Sequence, residues 1–380
     1  MAELWRSYRE EFPVTKNLIY LNHAAVAPLS RRCASAMQHL AQDAMDFGSY
    51  HYGNWMATYA GVRSSTAKLI NARPEDIAIT KNTSEGVAIV STGFRWKPGD
   101  AMVAFTEEFP ANLFPWRKLE EQGVEVRWLS IFDPPEKIDE AAKGARLLAI
   151  SYVNYLNGHR VDLEQIGEIC ARHGCFYFVD AIQGMGAFPI DVEAAHIDAL
   201  SADAHKWMLG PEGCAVLYVR QSKQDMVEPV QLGWTNFAHY TDYASRDMTL
   251  RPDAGRYEGG TLNTIGCYGV RAALDLLLEV GIDRIQPAVM ALADQLAEGA
   301  RAVGFELSGD RNSATASGIV SIRRPGITSE CAAQMMVKHL KDNKIIAASR
   351  QGWVRFSPHF YNSPDDIERV VGVLRTVSGV

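Results

Sequence analysis

The stretch CFYFVDAIQGMG, residues 175–186, decides the fold. Its apolar run from Cys175 to Val179 ends in a carboxylate, Asp180, followed by small residues and glycines. A short, continuous apolar run bounded in this way reads as a strand buried on both faces. Upstream, Leu163, Ile166, Ile169 and Cys170 recur at helical spacing over 162–173, and Gly174 suits the left-handed stop. A helix feeding a buried strand is half of a βαβ unit.

The same alternation extends outward from about 75 to 220. DIAIT (76–80), AMVAF (101–105), VEVRWL (124–129), RLLAISYV (146–153), IDALSA (197–202) and CAVLYV (214–219) read as strands. Helical patterns run from Ser84 to about Phe94 and over about 112–122. Strands separated by helical crossovers predict an α/β fold, with a mostly parallel central sheet flanked by helices. After about 263 the pattern changes to helices over about 264–280 and 283–303. The strand GIVSIR (318–323), a helix near 328–342, a strand pair around 344–356 and a helix after Pro364 follow. This predicts a large domain over 15–284 and a smaller α+β domain over 285–380, with residues 1–14 packed against the latter.

The chain has 380 residues, more than one compact core accommodates. A net charge of −7 gives no electrostatic footprint for nucleic acid and no basic face for an anionic membrane. No apolar run approaches the roughly 18 residues that span a bilayer. MAELWRSYREEFPV at the start lacks the apolar stretch of a signal peptide. Six cysteines without a CxxC pair indicate neither a disulfide framework nor a zinc site. The expectation is a protein with reduced thiols in a cytoplasm.

Asp180 ends a very apolar strand, where an unpaired carboxylate is costly. At the mouth of a parallel sheet it can instead meet a buried cation, such as a protonated pyridine nitrogen. Lys206, in SADAHKW (201–207), follows the next strand and reaches the same sheet edge. A lysine used for imine chemistry must visit its neutral form, which desolvation and a nearby cation favour. Alone, Asp180 reads as a turn residue and Lys206 as solvated surface; their spacing with Gln183 and His205 changes that reading. In ITKNTSEG (79–86), a strand–turn–helix sets Thr83 and Ser84 where N–H groups and hydroxyls can hold a phosphate. Simple helix capping explains the same residues.

In their order these motifs resemble the class V aminotransferase family, a fold-type-I group that includes cysteine desulfurases and isopenicillin N epimerase-like proteins. The similarity runs from YLNHAAVAPLS (20–30) through NTSEG, SYVNYLNG (151–158), VDAIQGMGAFPIDV (179–192) and ADAHKWMLGPEG (202–213). It continues through RYEGGTLNT (256–264) to WVRFSPHFYN (353–362). The resemblance implies pyridoxal 5′-phosphate as cofactor and a homodimer with shared active sites. It makes Lys206 the Schiff-base lysine and Asp180 the partner of the pyridine nitrogen. Gln183 then lies on the ring-hydroxyl side, Thr83 and His205 contact the phosphate, and Thr261 reaches it from the neighbouring subunit. Arg355 takes the substrate carboxylate and Arg350 assists. Strand alternation independently sets Arg355 on the face opposite Val354 and Phe356, although a solvent-facing position has the same pattern.

Some residues depart from the desulfurase pattern. EFPAN (108–112) puts Phe109 where desulfurases carry a histidine over the ring; it can stack but moves no protons. Between Arg350 and Arg355 lie only Gln-Gly-Trp-Val, without the nucleophilic thiol a desulfurase needs. Asp203 replaces a small hydroxyl residue near the phosphate and has no clear role. Tyr155 stands where desulfurases have an amide, and His23 follows a strand from which it could approach substrate. The aromatic stretch SYHYGNW (49–55) reads as packing or as a substrate mouth.

The expected function is therefore an enzyme acting on an α-amino acid through a Lys206 Schiff base, transaminase-like and not a desulfurase. Epimerisation and carbon–sulfur lysis share the same first steps and stay open. A non-catalytic, cofactor-binding sensor is the remaining alternative, and the intact Lys206, Asp180 and Arg355 set argues against it.

Overall fold

The computed structural model describes residues 4–377. Strand β1 (Ile19–Tyr20) precedes the main sheet, made of β2 (Ile77–Thr80), β3 (Ala101–Phe105), β4 (Glu125–Leu129), β5 (Ala145–Ser151), β6 (Phe176–Asp180), β7 (Ala199–Asp203) and β8 (Ala215–Val219). Their spatial order is β2-β8-β7-β6-β5-β3-β4. Only β8 runs against its neighbours, so the sheet is mostly parallel, as the alternating pattern predicts. Asp180 and Asp203 end β6 and β7 at one sheet edge, and Thr83 starts the helix that follows β2. Outside the carboxyl ends of such strands is where α/β sheets place ligands.

Helices cover both faces. The helix Leu163–His173 begins at Asp162, whose side chain accepts the Gln165 N–H, and stops at Gly174 with φ +65°. The expected helix over 112–122 is broken instead. Pro110–Asn112 and Glu120–Gln122 are 3₁₀ turns on either side of the short α-helix Phe114–Leu119, with prolines near the start of two of these pieces. Proline cannot donate the N–H that a continuous helix needs. Two helices the pattern reading left out, Arg31–Phe47 and Tyr52–Ile70, pack on the helix Thr264–Val280.

The C-terminal sheet comprises β9 (Glu306–Leu307), β10 (Val320–Arg323), β12 (Ala348–Arg350) and β13 (Trp353–Phe356), in the order β12-β13-β10-β9. The remaining strand, β11 (Ile345–Ile346), pairs in parallel with β1, so the anticipated strand pair around 344–356 is three strands. Ile19 and Leu21 accordingly share a core with Ile322, Val354 and Phe356. Of the segment 1–14, residues 1–3 lie outside the described residues. Phe12 stacks on Tyr361 at 3.7 Å, and Arg9 pairs with Asp366 at 2.8 Å. Among the described residues no helix is long and apolar enough to cross a membrane.

Candidate active site

A cavity of about 290 Å³ opens at the carboxyl edge of the main sheet. Asp180 and Gln183 come to it from the end of β6, and His205 and Lys206 from the turn after β7. Thr83 and Ser84 enter from the helix start after β2, Phe109 from the turn after β3, and Arg350 and Arg355 from the β12–β13 hairpin. Every predicted site residue except Thr261 therefore lines one cavity. Thr261 is exposed and outside it. A larger groove of about 860 Å³, walled by Phe132, His159 and Arg160, contains none of the predicted residues.

Asp180 is 3% exposed and accepts one backbone N–H, from Ile182, at 3.0 Å. Burial raises its pKa to about 6, while hydrogen bonding and Lys206 pull it down. Burial lowers the Lys206 pKa to about 8 against the opposing pull of Asp180, and Arg355 pushes it the same way. Lys206 thus holds its proton far less tightly than an exposed lysine does. Its Nζ lies 5.7 Å from the centre of the Phe109 ring.

Gln183 is engaged on both sides of its amide. Its Nε2 donates to the Ala24 carbonyl at 3.0 Å and its Oε1 accepts the Trp207 indole N–H at 2.9 Å. One N–H of the amide is left for a ligand. The Thr83 hydroxyl accepts the Asp203 N–H at 2.9 Å, and Asn82 caps the helix by accepting the Glu85 N–H at 2.9 Å.

Arg355 is 2% exposed because Val354 and Phe356 fill the C-terminal core and alternation turns the guanidinium to the cavity. Its Nη1 donates to the Tyr155 carbonyl. Burial first, then the neighbouring Arg350, lower its pKa to about 9. The hairpin that carries both arginines turns through Gln351 and Gly352, with φ of +51° and +81°. Two consecutive left-handed residues make the tight two-residue hairpin turn.

The sequence reading left Asp203 out of the site, yet it lines the cavity at 4% exposure. Its Oδ1 lies 3.0 Å from His205 Nδ1, and neither atom has a properly aligned hydrogen bond. Both atoms stay open to a ligand. Its position at the end of β7, matching Asp180 at the end of β6, was the available signal.

Glu108 was also passed over in favour of Phe109. It is 6% exposed, accepts the Ser151 N–H at 2.6 Å and the Ser151 hydroxyl, and burial raises its pKa to about 7. Tyr155 is part of the wall, edge-on to Phe109 at 5.2 Å. His23 is fully buried beneath the cavity, not in it. Residues 49–55 lie away from it, with Tyr50 82% exposed.

The cavity fits pyridoxal phosphate. Asp203 Oδ1, His205 Nδ1 and Arg355 Nε are buried polar atoms without partners, which a polar ligand would satisfy. A buried carboxylate with one backbone bond suits a protonated ring nitrogen, and the helix start at Thr83 suits a phosphate. Among the described residues no group of His, Cys, Asp and Glu is placed to hold a metal ion.

Comparison with known proteins agrees. A probable cysteine desulfurase of Pyrococcus abyssi is 30% identical over 96% of both chains. The uncharacterized aminotransferase YcbU of Bacillus subtilis is 30% identical, over 98% of this chain and 97% of its own. The apo structure of the cysteine desulfurase of Thermococcus onnurineus superposes with a TM-score of 0.88 at 26% identity, covering 97% of each chain. The model of the family Aminotransferase class-V matches residues 19–370. The chain thus belongs to the class V aminotransferase family, as a fold-type-I enzyme whose cofactor is pyridoxal 5′-phosphate.

Proposed function

We propose that the protein acts on an α-amino acid, with Lys206 as the residue that binds the cofactor covalently, and that its reaction is of the transaminase type. When bound, pyridoxal phosphate supplies an electron-withdrawing ring that stabilises charge at the substrate α-carbon. Asp180 keeps the ring nitrogen protonated by facing it with a buried carboxylate. Thr83, Ser84 and His205 would hold the phosphate, Phe109 would lie against the ring and Gln183 would steady its hydroxyl side. Arg355 orients the substrate by its α-carboxylate, through the planar fork that suits a carboxylate. Lys206 would take the substrate α-proton, for which an amine of lowered pKa is suited. Two copies share the work: Thr261, exposed on its own chain, reaches the phosphate of a neighbour.

One observation carries the choice against sulfur transfer. The β12–β13 hairpin closes in two residues, Gln351 and Gly352, and no cysteine lines the cavity. Cys331 is the exposed thiol, on the helix Glu330–Asp342, while the other five are buried. Cysteine desulfuration is the second reading, favoured by what relatives such as the Pyrococcus protein are named. The two separate in one experiment: holoprotein is incubated with single amino acids, without an oxo-acid acceptor, and the products are analysed. Recovery of pyridoxamine phosphate and the matching oxo acid supports the proposal. Alanine and persulfide or sulfide from cysteine, with the cofactor unchanged, would establish desulfuration instead.

A further inference from the structure

Building on that reading, we infer that the site selects amino acids with a second carboxylate on the side chain, and that Arg350 is the residue that recognises it. Ala348 opposes Arg355, and Arg350 opposes Trp353. Residues 348 and 350 share one face of β12, so Arg350 and Arg355 project from the same face of the hairpin as diagonal neighbours. Both line the cavity.

Neither guanidinium has a counter-ion. Among the described residues no carboxylate lies within ion-pair distance of either arginine, although many other arginines of the chain are so paired. Arg350 donates only to the carbonyl of its neighbour Ser349, at 2.7 Å, and Arg355 only to that of Tyr155. The two repel one another strongly enough that Arg350 lowers the pKa of Arg355. Holding two such cations at one cavity wall is costly unless a ligand neutralises them.

The carboxylates that line the cavity do not do so. They are Asp180 and Asp203: the first faces the ring nitrogen in the proposed site, and the second lies 3.0 Å from His205 and out of ion-pair distance of both arginines. The cofactor phosphate belongs at the Thr83 helix start, on another wall. An amino acid with a neutral side chain brings one carboxylate and leaves one guanidinium bare. An aspartate- or glutamate-like molecule brings two, matched to two forks on one face.

The test uses holoprotein and dicarboxylates that carry no amino group, so that binding is read without turnover. Titration calorimetry compares succinate and glutarate with propionate and butyrate. Each dicarboxylate is expected to bind about tenfold or more tightly than its monocarboxylate, as one additional charge-assisted contact implies. In Arg350→Gln that preference should collapse to within about threefold. Arg350→Lys, which keeps the charge and loses the fork, should fall between. Turnover provides a second reading: the ratio of kcat/KM for aspartate over asparagine should drop in Arg350→Gln, chiefly through KM. Equal binding of mono- and dicarboxylates by the wild type, or a preference that survives Arg350→Gln, overturns the inference. The absorption spectrum of the same samples reports whether the cofactor is bound, so a failed cofactor assignment is distinguished from a failed substrate class.

Discussion

His23 Nε2 lies 2.6 Å from the Tyr361 hydroxyl in a region closed to solvent. Its Nδ1 lies 2.7 Å from the Ser357 carbonyl, an acceptor only, so Nδ1 carries the proton and Nε2 accepts from the tyrosine. His359 is fixed the same way: Nδ1 accepts the Phe360 N–H at 2.9 Å, and Nε2 donates to the Trp207 carbonyl at 3.1 Å. Two neutral imidazoles thus tie the 357–361 segment to the turn after β1 and to the loop of Lys206. Burial lowers the His23 pKa from 6.5 to about 4 and drives that of His359 down as well.

The folded state therefore resists protonation of these rings more than the unfolded chain does. Their contribution to stability is complete above about pH 6.5 and is lost as pH falls towards 4, on the order of 3 kcal/mol for His23 alone. Urea unfolding midpoints should carry this decline, offset by Asp180 and Glu108, whose carboxyls, raised by burial to about 6 and about 7, favour the folded state as pH falls. In His23→Gln that decline should be shallower. The same pH dependence in wild type and His23→Gln would contradict the neutral assignment.

Cofactor loading should depend on the protonation of Lys206. Its pKa of about 8 means that the neutral, reactive amine increases as pH rises through that value. The rate at which apoprotein takes up pyridoxal phosphate should climb from pH 7 to 9 and level off. Asp180 supports the charged form, so Asp180→Asn should move the inflection lower. Stopped-flow absorbance measures both, and an inflection near that of an exposed lysine, about 10.4, would refute the burial argument.

Replacing Arg355 should discriminate between substrates. Arg355→Gln is expected to lower kcat/KM for α-amino acids on the order of 10²-fold, the cost of losing a buried charged contact. Amines without a carboxylate should lose far less. Comparable losses for both would remove Arg355 from carboxylate binding.

The cofactor half of the site was legible in the sequence because it hangs on consecutive strand ends. Asp180 and Lys206 follow neighbouring strands of one parallel sheet, so an ordinary pattern reading brings them together. Arg355 was legible mainly through the family resemblance, because its alternation with Val354 and Phe356 also fits a solvent-facing position. Glu108 and Asp203 were harder to read, since their burial depends on what Ser151 and His205 do across the sheet edge. The partner of the strand before His23 was hard to read for a similar reason: Ile19–Tyr20 is two residues long and pairs with Ile345–Ile346 at the far end of the chain. Thr261 illustrates the opposite case, a residue named by resemblance that its own chain leaves outside the cavity.

Gly352 sets the hairpin that aims both arginines. A Cβ there would lie 2.2 Å from the Thr328 carbonyl oxygen, and its φ of +81° already disfavours a side chain. Gly352→Ala should cost about 1–3 kcal/mol and raise KM for amino acids more than it lowers kcat. Urea unfolding and steady-state kinetics check the pair of effects, and an unchanged KM would separate the turn from the site.

The central claim is that Lys206 holds the cofactor. Holoprotein reduced with borohydride, digested and analysed by mass spectrometry should carry the phosphopyridoxyl mass on the peptide containing Lys206, and Lys206→Ala should carry none. An unmodified Lys206 in fully reconstituted wild type, or an adduct on a different lysine, would contradict the account.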